Sequence, residues 1–145
     1  MKAVVQRVSK ASVTVEGAVT GSIGLGLVVL IGFSRQDLSG DIAPMVEKIL
    51  YLRIFEDDQG KMNKSLLDVG GEVLLVSQFT LLGDTRKGRR PNFMDAAPPE
   101  AAQKLYQEFI QEIERQNVKV QTGRFQAHME VQIYNDGPVT LIVER

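Results

Sequence analysis

"AVVQRVSKASVTVEGAVTGSIG", Ala3–Gly24, alternates apolar and polar side chains over most of its length. A period of two belongs to a strand with one buried face. The stretch reads as short strands hinged at Ser9-Lys10 and Glu16-Gly17, with Gly24 and Gly26 ahead of a buried run, "LVVLIGF" (Leu27–Phe33). After that opening the period changes. Asp41 stands where it can cap a helix in which Ile42, Met45, Val46, Ile49 and Leu50 share one face. "DDQGKMN" (Asp57–Asn63) reads as a loop and "EVLLVSQFTLL" (Glu72–Leu82) as the most apolar strand. "GDTRKGRRPNFMDAAPP" (Gly83–Pro99) is a long loop with three prolines and no periodicity. Pro98 and Pro99 lead a second helix that aligns Ala102, Leu105, Phe109 and Ile113, and "VKVQTG", "HMEVQIY" and "VTLIVER" return to strands. The expected fold class is α/β. It is a single compact domain over residues 1–145, with a largely antiparallel β-rich core (barrel-like or layered sheets) and two helices.

Bulk properties narrow the chemistry. A chain of 145 residues fits one domain able to bury a core without staples. A net charge of −1 creates no global field toward nucleic acid or membrane, so any polyanion site must be a local basic patch. There is no cysteine, which removes disulfides, thiol nucleophiles and cysteine-based metal sites. The opening segment alternates and carries charge, unlike a signal peptide, and no apolar run approaches the roughly 20 residues of a bilayer span. These features predict a cytoplasmic protein with no membrane partner.

His128 is the only histidine, so a multi-histidine metal centre is excluded and a Ser-His-Asp triad would have to run through it. In "AHMEVQIY", Met129, Val131 and Ile133 alternate inward, which leaves His128 on the wetter face as a surface residue. Asp57 and Asp58 are accounted for by a turn beside Gly60. "GLGLVV" lacks the spacing and following helix of a dinucleotide fingerprint. "VSQFTLL" leaves two readings open. Alternation puts Gln78 and Thr80 on one wet face of an ordinary strand, or a strand end lines a pocket with hydroxyls and free amides. "TRKGRRP" likewise reads as a solvated loop or as a phosphate contact through Arg86, Lys87, Arg89 and Arg90. In "NDGPVT" (Asn135–Thr140) a turn signal runs directly into Gly137-Pro138 and then a strand, although proline cannot donate to a ladder.

Together these segments resemble the D-aminoacyl-tRNA deacylases of the bacterial and eukaryotic type. "SQFT" (Ser77–Thr80) and "NDGPVT" look like that family's two signature motifs. "MKAVVQRVSKASVTV", "GLGLVVLIGF", "LRIFEDDQGKMNKSLLD" and "GRRPNF" are similar to it at matching positions, so the resemblance runs through the whole chain in order. His128 matches no fixed residue of the family.

The resemblance implies an editing hydrolase that cleaves the ester between a D-amino acid and the 3′ end of tRNA. It implies no cofactor or metal, and a homodimer with active sites at the subunit interface. There the Gly137-Pro138 bond is cis, and the motif of one subunit enters the pocket of the other. Ser77, Gln78, Phe79 and Thr80 form the catalytic pocket, with the Phe79 N–H aimed at the ester carbonyl, and Arg7 braces the Gly-Pro motif. Backbone placed where an L-side chain would project excludes every L-residue by overlap. Glycine has no Cβ to exclude, so glycyl-tRNA, including glycine mischarged on tRNA-Ala, is an expected substrate. The family is read as RNA-assisted, with the terminal 2′-hydroxyl helping to position water and Thr80 as a positioner. A Thr80-nucleophile esterase and a non-catalytic tRNA-binding module remain the alternatives.

Overall fold

The computed structural model describes residues 1–145. Its strands are β1 (Lys2–Val15), β2 (Ala18–Ile23) and β3 (Gly26–Gly32), then, after helix α1 (Ile42–Leu50), the short pair β4 (Phe55–Glu56) and β5 (Met62–Lys64). β6 (Glu72–Ser77) follows, then α2 (Pro99–Arg115), β7 (Val120–Thr122) and β8 (Glu130–Glu144). Short 3-10 turns occupy Ser39–Asp41 and Phe79–Leu82.

β1 organises the sheet. It pairs antiparallel with β2, β3 and β8, and the strand order is β2-β1-β3-β6-β7 with β8 added on β1. The β3–β6 and β6–β7 pairs are parallel, a feature the sequence pattern did not signal. β2 lies back against β6 and β7, so the sheet curls into a nearly closed barrel. The β1–β2 hairpin turns on Glu16 and Gly17, both at positive φ, which suits the twist of the flanking strands.

The sheet serves two cores. Val8, Ala11, Val13, Ile23, Val28, Leu74 and Val76 fill the barrel. Alternate residues of the same strands, among them Leu27, Val29, Ile31, Val73 and Leu75, face outward beneath the apolar faces of α1 and α2. β1 changes core as it runs: Ala3 and Val5 lie under the helices, Val8 and Ala11 inside the barrel. The crossover falls where Arg7 and Val8 are consecutive buried residues and Ser9 and Lys10 consecutive exposed ones. Ser9-Lys10 is therefore no hinge between two strands. The chain stays paired through it, with register slips against β8.

Other expectations also change. Asp41 heads α1 without capping it; its carboxylate instead accepts the Leu38 N–H at 3.1 Å. Met62 and Asn63 belong to β5 rather than to a loop. β6 stops at Ser77, so Gln78 and Thr80 do not share a strand face. "HMEVQIY" and "VTLIVER" are not separate strands, because β8 runs through "NDGPVT". Gln6 pairs with Thr140 and Val8 with Asn135, so Asp136, Gly137, Pro138 and Val139 bulge opposite the single residue Arg7. A bulge is where a proline is tolerated, since its missing N–H breaks no ladder bond.

Candidate active site

β6 ends where its backbone turns away from β3. The Gln78 N–H still donates to the Ile31 carbonyl at 2.7 Å, and the chain then winds into the Phe79–Leu82 turn. Gly32 permits this, because a Cβ there would sit 2.7 Å from the Gln78 carbonyl oxygen. Beside the turn opens a cleft of about 680 Å3, lined by Ser77, Gln78 and Phe79 together with Phe93, Phe125 and Met129. Phe79 and Phe93 meet edge to face, with ring centroids 5.2 Å apart. Thr80 is exposed and does not line the cleft; its hydroxyl accepts a hydrogen bond from Gln78 Nε2.

The Gly-Pro segment lies elsewhere. None of residues 135–140 lines the cleft. Asn135 clips the base of the bulge: its Nδ2 donates to Thr140 Oγ1 at 2.9 Å and its Oδ1 accepts the Val139 N–H at 3.3 Å. Gln6 Nε2 donates to the same hydroxyl at 3.2 Å. Gly137 and Pro138 are exposed, Gly137 has φ +120°, and the peptide between them is cis. Beneath them lies Arg7, only 5% exposed. Its Nη1 donates to the Ile54 carbonyl at 2.7 Å and its Nε to the Asp136 carbonyl at 3.2 Å. Its Nε also lies 3.2 Å from the Asp136 carboxylate, and Nη2 lies 3.9 Å from Glu56. Arg7 thus ties the bulge to the segment entering β4.

The basic loop is folded at its base. Asp84 and Asn92 exchange backbone hydrogen bonds at 2.7 and 2.9 Å, with the cations between them. Arg86 grips Asp84 in a fork, Nε to Oδ1 at 2.9 Å and Nη2 to Oδ2 at 2.8 Å. That grip holds the Asp84 carboxyl down to about 2. Arg86 is thus the paired member of the four, while Lys87, Arg89 and Arg90 extend exposed.

His128 is exposed, as expected, yet it lines the same cleft as Ser77 and Gln78. Sequence reading also missed Arg35, Phe93, Phe125 and Met129 as cleft residues. Their positions carried no local signal, since they converge from three separate stretches: Arg35 after β3, Phe93 in the loop before α2, and Phe125 with Met129 ahead of β8. No three His, Cys, Asp or Glu side chains gather in a way that could hold a metal ion, and no helix is long and apolar enough to cross a membrane.

A model of the family described as D-Tyr-tRNA(Tyr) deacylase matches residues 4–144. A protein named D-aminoacyl-tRNA deacylase from a Thermoanaerobacter species is 60% identical over 144 residues, 99% of this chain and 97% of that one. A Bacillus cereus protein of the same name is 57% identical over 99% of both chains. Among solved structures, a c-Myc DNA Unwinding Element Binding Protein superposes with a TM-score of 0.94 at 46% identity, covering 100% of this chain and 99% of that one. A probable eukaryotic D-amino acid tRNA deacylase superposes with a TM-score of 0.84 over 98% and 97% of the two chains; at 18% identity it speaks to the fold alone.

Proposed function

The chain belongs to the D-Tyr-tRNA(Tyr) deacylase family, as a hydrolase of the ester bond of D-aminoacyl-tRNA, and from that premise we propose how the site works. The ester lies in the cleft against Ser77, Gln78 and Phe79. The observation that carries this reading is the break after Ser77, where β6 gives way to a 3-10 turn bordering the cleft. The first amides of such a turn have no acceptor within it, so the Phe79 N–H is a donor for the ester carbonyl. Its bond strengthens as negative charge grows on that oxygen in the transition state.

Water attacks, positioned by the terminal 2′-hydroxyl of the tRNA. Proximity of this kind can replace a base supplied by the protein. Thr80 is a positioner. Its hydroxyl is engaged by Gln78, and no histidine or carboxylate hydrogen-bonds it as a nucleophile would require.

Chirality is read by a second copy of the chain. Within one chain Gly137 and Pro138 stand exposed on their bulge, away from the cleft. In a homodimer the bulge of one subunit, braced by Arg7, enters the cleft of the other. There it blocks the direction of an L-side chain. Glycyl-tRNA, including glycine on tRNA-Ala, passes the filter. Lys87, Arg89 and Arg90 meet tRNA phosphates, with Arg86 completing the patch, and the protein acts in the cytoplasm without cofactor or metal.

The test compares D-alanyl-, L-alanyl- and glycyl-tRNA, each with a normal or a 2′-deoxy terminal ribose. D-alanyl- and glycyl-tRNA should be cleaved, the L-form spared, and the 2′-deoxy substrates should resist. Equal turnover of the 2′-deoxy D-substrate overturns RNA assistance. Glycyl-tRNA as resistant as the L-form overturns rejection at Cβ.

A further inference from the structure

Arg35 and His128 are the only ionisable side chains lining the cleft, and no carboxylate lines it. Arg35 is held in place by the basic loop: its N–H donates to the Asp95 carbonyl at 3.0 Å and its Nε to the Met94 carbonyl at 2.5 Å. Neighbouring backbone is fixed as well, since the Ser34 N–H donates to Asp37 Oδ2 at 2.7 Å and Ser34 bridges to Ala96. With Nε tied, the guanidinium is oriented, while its two terminal nitrogens have no partner within the chain and the side chain is exposed. An oriented guanidinium with both Nη groups free is a fork for a phosphate or carboxylate, and it makes charge-assisted bonds there.

The substrate has two charged ends that this arrangement tells apart. The amino acid carries an ammonium, which a cleft without carboxylates and with an arginine at its edge does not attract. The RNA side carries phosphodiesters. We infer that Arg35 binds the phosphodiester immediately 5′ of the terminal nucleoside and so sets how deeply the 3′ end enters the cleft. This rests on the reading that the cleft holds the ester. It also joins the cleft to the exposed cations of the 84–92 loop, whose following residues Met94 and Asp95 orient Arg35.

The test uses the stable amide of D-alanine with 3′-amino-3′-deoxyadenosine, as the free nucleoside and as its 5′-methylphosphate, a monoanionic diester. Calorimetry on the wild type should show the phosphorylated probe binding about tenfold tighter, as a hydrogen bond to a charged group contributes. Arg35→Ala should abolish that gain while leaving the free nucleoside within twofold, and Arg35→Lys should keep part of it. With D-alanyl-tRNA, the salt dependence of KM should flatten in Arg35→Ala by about 0.7 log units per log of salt. A phosphate gain that persists in Arg35→Ala overturns the assignment. Equal weakening of both probes also overturns it, because Arg35 would then only hold the loop. A wild type that fails to bind the free nucleoside probe overturns the cleft reading itself, an outcome visible before any Arg35 variant is made.

Discussion

The Arg7 guanidinium packs so closely on Gly137 that a Cβ added to that glycine would lie 2.8 Å from Nη2. The same Cβ would meet Cγ2 of Val139 at 2.9 Å. Gly137 also sits at φ +120°, a region side chains rarely adopt. The shape of the bulge and the burial of Arg7 are thus one arrangement.

Gly137→Ala should accordingly cost about 1–3 kcal/mol of stability through backbone strain and lower D-specific deacylation. Urea unfolding gives the first quantity. A cycle with Arg7→Met should show coupling of about 0.5–3 kcal/mol, since the two residues touch. Strict additivity would mean that Arg7 does not brace Gly137.

Thr80→Ala should keep deacylation within about tenfold of the parent, the worth of one lost positioning bond. Mass spectrometry of quenched turnover should find no acyl group on residue 80 of the parent. A trapped acyl-Thr80, or abolished turnover with binding intact, would restore Thr80 as the nucleophile.

The loop should show a defined pH response. Asp84 is depressed from 3.8 to about 2 by the Arg86 side chain and then by the Arg86 backbone N–H. A depressed carboxylate contributes stability that is fully present above its unfolded value and is lost as pH falls through its folded value. The stability that the Asp84–Arg86 clasp contributes should therefore hold from neutrality to about pH 4 and be lost as pH falls from about 4 to 2, the carboxyl itself titrating with a midpoint near 2. An NMR titration of the Asp84 carboxyl measures this directly, and a midpoint near 4 would dissolve the clasp. At neutral pH, alanine at Lys87, Arg89 and Arg90 should each reduce the salt dependence of tRNA binding by about 0.7–0.9 log units per log of salt.

Mixed dimers test the cross-subunit filter. Ser77→Trp blocks the cleft, and Gly137→Val with Pro138→Ala destroys the bulge, so each homodimer is defective at both sites. In a two-fold dimer of the two variants, a crossed arrangement gathers both defects into one site and leaves the other native. Random co-expression makes about half the dimers mixed, so roughly a quarter of all sites should recover. Purified heterodimers with no regained activity would refute the crossing.

Local pattern was enough for much of the fold. The hairpin at Glu16-Gly17 follows from a glycine, which accepts positive φ, placed between alternating strands. The buried faces of α1 and α2, Met45 and Ile49 in one and Leu105, Phe109 and Ile113 in the other, follow from helical spacing. "SQFT" and "NDGPVT" resemble the family's signature motifs at the level of sequence alone. Each of these signals lies within a few residues of chain, where backbone preference and side-chain period act.

Pairing across long separations decided the rest. β8 continues through "NDGPVT" because β1 offers partners on both sides of the bulge, 129 residues away at Arg7–Asp136. β6 ends at Ser77 because Gly32, on the neighbouring strand, leaves room for the chain to turn. Arg35, Phe93, Phe125 and His128 share a cleft only because β3, the 84–95 loop and the approach to β8 meet there. Nothing in the spacing of those residues could announce this, since periodicity reports which face a residue occupies and not which distant face it meets.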